Sequence, residues 1–207
     1  MKARFFTGLF LFDMYRYFIV YKPYLVLCQF TSQDRKKTLA DYFNVPKNVY
    51  PVGRLDYDSE GLLLLTNDPK LNSLLLNPSH KHEREYLVQV EGEPTEEAIT
   101  ALQKGVVISL DGKPYKTAPC LARILRQAPA LPNRNPPIRT RKFIPDSWLS
   151  LTLTEGKNRQ VRRMTAVVGF PTLRLVRVRI KDIPLHNMQP GEMKEWNKEA
   201  IYAALFP

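Results

Sequence analysis

Residues 53–68 read GRLDYDSEGLLLLTND and join a polar loop to a strand and to the start of a helix. The four leucines at 62–65 form an apolar run of the length expected for a buried strand. Asp68 followed by Pro69 is typical of a helix N-terminus, because aspartate caps free backbone N–H groups and proline fits the first helical position. A core strand therefore holds the loop before it in place. That loop carries three acids, Asp56, Asp58 and Glu60.

The acidic loop alone is open to several interpretations. Its acids and Gly61 match the first half of an EF-hand calcium loop, but Asn67 stands where that loop needs a glutamate. Carboxylates close together on one loop would also suit glycoside hydrolysis or a magnesium-dependent nuclease. A solvated acidic turn without chemistry is the remaining interpretation. The calcium pattern is incomplete, and the loop by itself does not choose among the others.

The rest of the chain alternates strand and helix patterns of ordinary length, without an internal repeat. Strands are predicted at 17–21, 25–28, 62–66, 84–91, 148–153 and 173–180. Helices are predicted after the caps Asp68 and Thr95 and at 160–168 and 196–205, and Asp111-Gly112 predicts a hairpin turn. This alternation favours an α+β or mixed-sheet fold.

The composition is that of a folded protein with a basic surface. Of 207 residues, 44% are apolar and 25% are charged, which excludes a disordered or collagen-like chain. Lysine and arginine number 31 against 20 acids, and the net charge of +11 favours a phosphate-rich partner. Two cysteines and three histidines exclude a disulfide framework and a histidine-rich metal site.

Residues 1–16 are predicted to be an N-terminal extension. Their apolar stretch resembles the middle of a secretory signal, but Asp13 and Arg16 follow where a small-residue cleavage site should lie. Apolar runs elsewhere are far shorter than the roughly 18 residues of a membrane span. We therefore expect a chain that does not cross a bilayer.

Basic residues concentrate between residues 134 and 179, which contain eleven lysines and arginines but two acids. The predicted helix 160–168 has two distinct faces. The apolar face carries Val161, Met164, Thr165 and Val168. The opposite face carries Arg159, Arg162 and Arg163. We expect this basic face, with the free N–H groups at the start of the helix, to contact phosphates.

Four stretches together resemble the motifs of one enzyme family, the RsuA-type pseudouridine synthases. They are GRLDYDSEGLLLLTND at 53–68, REYLVQVEG at 84–92, EGKNRQVRRM at 155–164 and YKPYLVL at 21–27. Their order and spacing agree with the family, so the resemblance covers about residues 17–183. The branch that modifies one uridine of large-subunit ribosomal RNA, the synthase E type, is most similar in two further stretches. These are RNPPIRTRKFIPDSW at 134–148 and VGFPTLRLVR at 168–177.

The resemblance implies an α+β fold with a mixed, mainly antiparallel central sheet in two lobes around a catalytic cleft. It implies that residues 17–207 form one catalytic domain, which isomerises a uridine of ribosomal RNA to pseudouridine without a metal or another cofactor. The partner would be large-subunit ribosomal RNA, and the enzyme would act as a monomer in the cytoplasm. Two alternatives are a catalytically silent ribosome-assembly factor that binds ribosomal RNA and a metal-dependent nuclease.

The resemblance also implies roles for single residues. Asp56 is expected to be the catalytic carboxylate, which attacks ribose C1′ or otherwise assists cleavage of the N-glycosidic bond. Tyr86 is expected to stack on the target base, and Lys157 to pair with Asp56 and keep it charged. Arg54 is expected to contact RNA near the flipped nucleotide, unless it forms an ordinary salt bridge within the acidic loop. RNA binding is further expected from Arg139, Arg141, Arg159, Arg162 and Arg163.

Overall fold

The computed structural model describes residues 15–138 and 144–206. Its strands are β1 (Tyr17–Lys22), β2 (Tyr50–Pro51), β3 (Glu60–Thr66), β4 (Arg84–Glu91), β5 (Val107–Leu110), β6 (Lys113–Lys116), β7 (Leu121–Leu125), β8 (Asp146–Leu153), β9 (Thr172–Ile180), β10 (Ile183–Pro184) and β11 (Met193–Trp196). Its α-helices are α1 (Pro69–Leu76), α2 (Glu96–Lys104), α3 (Gln160–Val167) and α4 (Lys198–Leu205). The predicted extension lies almost entirely outside the described residues, so its division from residues 17–207 stays a prediction. None of the described helices is long and apolar enough to span a membrane.

Nine of the described strands form one sheet, in which neighbours run antiparallel except for a single pair. The order across the sheet is β11-β1-β3-β9-β4-β8-β7, with β2 attached to β3 and β10 attached to β9. The parallel pair is β3 and β9, with Glu60 opposite Val176 and Gly61 opposite Arg177. Strands β5 and β6 form a separate hairpin. This arrangement confirms the predicted α+β fold with a mainly antiparallel sheet.

The parallel contact between β3 and β9 depends on Gly61. A Cβ atom at this position would lie 2.3 Å from the carbonyl oxygen and 2.7 Å from the amide nitrogen of Arg177. The φ angle of Gly61 is +106°, a value that residues with a side chain rarely adopt. Gly61 therefore lets β3 approach β9 closely, which fixes the acidic loop beside that strand.

Three apolar clusters pack around the sheet. The side chains of β1 divide between two of them, because successive residues of a strand point to opposite faces. Tyr17, Ile19 and Tyr21 pack with residues of α1 and α4, and the intervening Phe18 and Val20 pack with the segment 26–49. The third cluster joins α2 and α3 to β4 and β8. Both faces of β1 are therefore buried, in line with its uninterrupted run of buried residues.

Most predicted elements are confirmed to within two residues of their bounds. Asp68 accepts hydrogen bonds from two backbone N–H groups of α1, and Thr95 accepts one from α2. Asp111 and Gly112 both have positive φ and connect β5 to β6, as a tight hairpin turn requires. These predictions hold because caps and turns are decided by residues close together in sequence.

The predicted strand at 25–28 is wrong. Leu25 has a φ of +56°, so the chain turns just after Pro23 instead of continuing as a strand. Within the described residues, this segment pairs through one isolated bridge at Leu27. Val26 and Cys28 are nevertheless buried, so the alternating apolar pattern reflects packing against the core and not strand pairing.

Candidate active site

A cleft of about 660 Å³ opens in front of the acidic loop. Its wall includes the loop itself, residues of β4 and β9, and residues 153–161 at the start of α3. Asp56, Tyr86 and Lys157 all line this cleft. The fold therefore brings the three predicted catalytic residues, which are far apart in sequence, to one cavity.

The three acids of the loop differ in their partners. Glu60 is buried, and its oxygens accept hydrogen bonds from Nε and Nη2 of Arg174, both at 2.9 Å. Asp58 accepts hydrogen bonds from both terminal nitrogens of Arg159 at 2.8 Å. Asp56 Oδ2 lies 3.9 Å from Nη1 of Arg159, and 35% of the Asp56 side chain is exposed. Asp56 is therefore the acid of this loop that stays available to a molecule in the cleft.

Asp58 anchors the loop to α3. In addition to the contact from Arg159, Nη2 of Arg162 donates to the backbone carbonyl of Asp58 at 2.6 Å, and Nε of Arg162 lies 3.3 Å from its carboxylate. Burial raises the pKa of Asp58, but the hydrogen bonds from Arg159 and the charges of the two arginines outweigh this effect and keep the pKa below its usual value. Asp58 therefore stays ionised at neutral pH and holds the loop in position.

Lys157 does not pair with Asp56 among the described residues. Its Nζ lies over the ring of Tyr115, 5.1 Å from the centroid, and the basic group beside Asp56 is Arg159. Arg159 occupies the N-cap of α3 with a left-handed backbone, φ +52°, from which its side chain reaches the acidic loop. The structure thus places Arg159, and not Lys157, beside Asp56. Lys157 is an exposed cation of the cleft, and its catalytic role stays a prediction.

The predicted basic face of α3 is largely used within the protein. The apolar face is confirmed, with Val161, Met164 and Thr165 buried. The side chain of Arg162 is 13% exposed, because the acidic loop folds over it. Arg163 donates to the backbone carbonyl of Ser109 in the β5–β6 hairpin. These contacts within the protein were not expected, since helical periodicity does not reveal which distant segments cover a face, and RNA binding by Arg159, Arg162 and Arg163 stays a prediction.

The other predicted RNA-binding residues have different outcomes. Arg54 is exposed and lines the cleft. Within 15–138 and 144–206 it forms no salt bridge with the loop, because Asp58 and Glu60 pair with other arginines. Arg139 and Arg141 lie outside the described residues, and their role stays a prediction.

Lys22 lies beneath the acidic loop, and the sequence analysis did not single it out. It is fully buried at the end of β1, and its Nζ donates to the backbone carbonyls of Pro23 at 2.9 Å and Ser59 at 2.8 Å. Burial lowers the pKa of Lys22 to about 8, against the opposing effects of Cys28 and the acids of the loop. Lys22 ties the end of β1 to the loop that carries Asp56. The sequence feature that could have indicated this burial is the position of Lys22 between the apolar residues of β1 and Pro23.

Tyr86 belongs to β4 and lies directly opposite Arg177 of β9. It is half-buried, and it packs against two of the apolar clusters while lining the cleft. Arg84, two residues before Tyr86, lines the same cleft. Sequence patterns do not distinguish Arg84 and Arg177 from other strand arginines, because strand alternation does not reveal whether a side chain has a partner.

Comparison with known proteins identifies the family. The sequence profile of the RNA pseudouridylate synthase family matches residues 16–167. The chain belongs to this family. It is accordingly an RNA pseudouridine synthase, which confirms the enzyme class inferred from the motifs around Asp56, Tyr86 and Lys157.

Several relatives of this pseudouridine synthase are similar over most of its length. The ribosomal large subunit pseudouridine synthase E of Vibrio parahaemolyticus is 52% identical over 174 residues, which cover 84% of this chain and 71% of the relative. The synthase of the same name from Xanthomonas axonopodis pv. citri is 54% identical over 171 residues, covering 82% of this chain and 87% of the relative. A crystal structure of a pseudouridylate synthase is 28% identical with a TM-score of 0.74, covering 92% of this chain and 74% of that chain. These similarities confirm the predicted family, branch and fold.

Proposed function

We propose that this protein converts one uridine of large-subunit ribosomal RNA to pseudouridine, with Asp56 as the catalytic carboxylate. The observation that carries the proposal is the position of Asp56, the loop acid that is not held by a bidentate arginine and that shares a cleft with Tyr86. The names of the relatives at 52% and 54% identity support large-subunit ribosomal RNA as the substrate.

In the proposed reaction, a carboxylate oxygen of Asp56 attacks ribose C1′, and the electron pair of the C1′–N1 bond leaves with the uracil ring. The ring rotates, and C5 then attacks C1′ and releases the carboxylate. C5 loses its proton and N1 gains one, so the product is an isomer of the substrate and no cofactor is consumed. Before the attack, the positive charge of Arg159 lies beside the carboxylate of Asp56, with Nη1 of Arg159 3.9 Å from Oδ2 of Asp56.

The target nucleotide has to leave its stack to reach Asp56, which costs a few kcal/mol. Stacking of the base on Tyr86 offsets part of this cost, since such contacts contribute about 1–3 kcal/mol. Arg54 and Lys157 offset more of it through phosphates, because both are exposed cations of the cleft. Contributions from Arg139 and Arg141 stay a prediction.

We further propose that the enzyme acts as a monomer in the cytoplasm. Asp56, Tyr86, Arg54 and Lys157, which the proposed reaction uses, line one cleft within the chain, and a monomer is the simplest assembly that provides them. The named relatives are bacterial, and in bacteria ribosomal RNA is made and assembled in the cytoplasm.

The test compares ribosomal RNA from cells with and without this protein, after carbodiimide labelling that marks pseudouridine for mass spectrometry. The proposal predicts one additional pseudouridine in large-subunit RNA, and the same conversion by the purified protein in the presence of EDTA. RNA binding without conversion would support the silent assembly factor. RNA cleavage that requires magnesium would support the nuclease.

A further inference from the structure

Two arginines in the wall of the cleft are largely shielded from solvent and have no acidic partner among the described residues. Arg177 is 4% exposed, its Nε donates to the backbone carbonyl of Leu62 at 2.8 Å, and its Nη2 is buried without a hydrogen-bond partner. Arg84 donates from Nη1 to the carbonyl of His82 at 3.0 Å and from Nη2 to the carbonyl of Leu75 at 3.2 Å. Both guanidinium groups thus donate to carbonyl oxygens. These oxygens are neutral, so no negative charge compensates the positive charge of either arginine.

The other arginines of β9 show that this arrangement is not general for the strand. Arg174 forms a bidentate ion pair with Glu60, and Arg179 pairs with Glu83 and Glu85. Arg177 lies between them in sequence and has no such pair within the part of the chain that the structure describes. The unpaired charge is therefore specific to the position that lines the cleft.

Holding these two cations together is unfavourable in the absence of an anion. An unpaired charge loses hydration when it is buried, and like charges repel. Burial and the charge of Arg177 both lower the pKa of Arg84. A negatively charged group that enters the cleft would relieve both effects.

The position of the two arginines decides which part of the RNA can reach them. Arg177 lies opposite Tyr86, and Arg84 is two residues from Tyr86 on β4, so a base that stacks on Tyr86 brings its edge to both guanidinium groups. A backbone phosphate is joined to a nucleotide on each side and stays near the mouth of a cleft. A base is a side group of the RNA chain and can enter the cleft as far as Arg177, which is 4% exposed.

We propose that Arg177 and Arg84 bind the carbonyl oxygens of the flipped uracil and stabilise the negative charge that the ring carries after the C1′–N1 bond breaks. The inference rests on the proposed function. The electron pair of the broken bond spreads over N1 and the two carbonyl oxygens, and the guanidinium N–H groups donate to those oxygens. No proton is transferred in this step, and the charge disappears when C5 attacks C1′. Donors fixed in a water-poor site are effective at such a task because they need no reorganisation.

The test measures single-turnover rearrangement of two substrate RNAs that differ only at the target nucleotide, which is uridine in one and 5-fluorouridine in the other. With 5-fluorouridine, C5 has no proton to lose, so the C5-linked ring keeps its fluorine and adds water across C6 and N1. This hydrated product is measured by its mass in place of pseudouridine. Fluorine withdraws electrons and stabilises the ring anion without help from the protein. For Arg177→Gln we expect conversion of uridine to fall about 10²–10³-fold, as for the loss of one donor to a developing anion. The loss should be at least about tenfold smaller with 5-fluorouridine, and the affinity for RNA should change by less than about threefold, because the donors act mainly on the charged ring.

Two further variants keep the test decisive. Arg84→Gln, at a less buried position, should show the same dependence on fluorine with a smaller loss, even if Arg177→Gln fails to fold. Arg179→Gln is the matched control on the same strand, and it should keep the wild-type rate with both RNAs. Equal losses with both RNAs, or wild-type rates in Arg177→Gln and Arg84→Gln, would overturn the inference. If the wild-type protein did not form pseudouridine in the RNA that carries uridine, the proposed function itself would be overturned.

Discussion

Both terminal nitrogens of Arg159 donate to the carboxylate of Asp58, each at 2.8 Å. This pair joins the loop before β3 to the start of α3, and both segments line the cleft. The side chains are 43% and 28% exposed, so solvent screens the attraction and the pair contributes little to global stability. Its main effect is to fix the position of the loop that carries Asp56.

Acid should loosen this contact. The pKa of Asp58 in the folded protein lies below the value of about 3.9 for an unfolded aspartate, so its stabilising effect is present above that value and is lost as the pH falls below it. We expect the melting temperature of the wild type to fall more steeply between about pH 5 and pH 3 than that of Asp58→Asn. The exposed Asp34 provides the control, since Asp34→Asn should follow the wild type. Parallel curves for the wild type and Asp58→Asn would contradict the prediction.

The sequence predicts the local structure well, because caps, turns and apolar periodicity act over a few residues. Asp68 and Thr95 cap the helices that they were expected to cap, and Val161, Met164 and Thr165 face the core. The family motifs also predict that Asp56, Tyr86 and Lys157 share one cleft, as they do in the structure, since the spacing of motifs reflects a shared fold.

The pairing of charged side chains is what the sequence does not reveal. Arg159 and Asp58 are about a hundred residues apart, and no local pattern indicates that one neutralises the other. The same reason explains why Arg162 was expected at the surface, although its side chain is only 13% exposed. Burial of Lys22 likewise depends on the loop that closes over the end of β1.

Lys22 should give the protein a distinct dependence on pH under basic conditions. Its pKa is about 8 in the folded protein and about 10.4 in an unfolded chain, so the unfolded state binds more protons between these values and stability rises with pH. We expect the stability of the wild type relative to Lys22→Met to increase from pH 8 to about pH 10 in denaturant unfolding experiments. Lys70→Met removes an exposed lysine of α1 and should track the wild type. A constant difference between the wild type and Lys22→Met over this range would mean that the amine of Lys22 is solvated.

The salt dependence of RNA binding should identify the cations that contact phosphates. Log affinity is expected to fall with log salt concentration by about 0.7–0.9 for each phosphate that the protein neutralises. Arg54→Gln and Lys157→Gln should each reduce this slope by up to about one unit, because both side chains are exposed in the cleft. Arg162→Gln is the control and should leave the slope unchanged, since the side chain of Arg162 is only 13% exposed and lies against Asp58. Filter binding at several salt concentrations measures the slope, and an unchanged slope in both Arg54→Gln and Lys157→Gln would place the RNA backbone elsewhere.

Replacing the carboxylate of Asp56 separates chemistry from binding. Asparagine has nearly the shape of aspartate but cannot attack C1′ as a carboxylate. We expect Asp56→Asn to fold with a melting temperature close to that of the wild type, because the side chain is partly exposed and is not held by a bidentate arginine. Its affinity for RNA should equal or exceed that of the wild type, since one negative charge facing the phosphates is lost.

The central claim is tested most directly by single-turnover conversion of substrate RNA by Asp56→Asn, measured beside its RNA affinity. Asp58→Asn is the matched control, because it makes the same chemical change two residues away in a group that positions the loop. The account predicts no pseudouridine from Asp56→Asn despite tight RNA binding, and reduced but measurable conversion by Asp58→Asn. Substantial conversion by Asp56→Asn would contradict the account and remove Asp56 from the catalytic role.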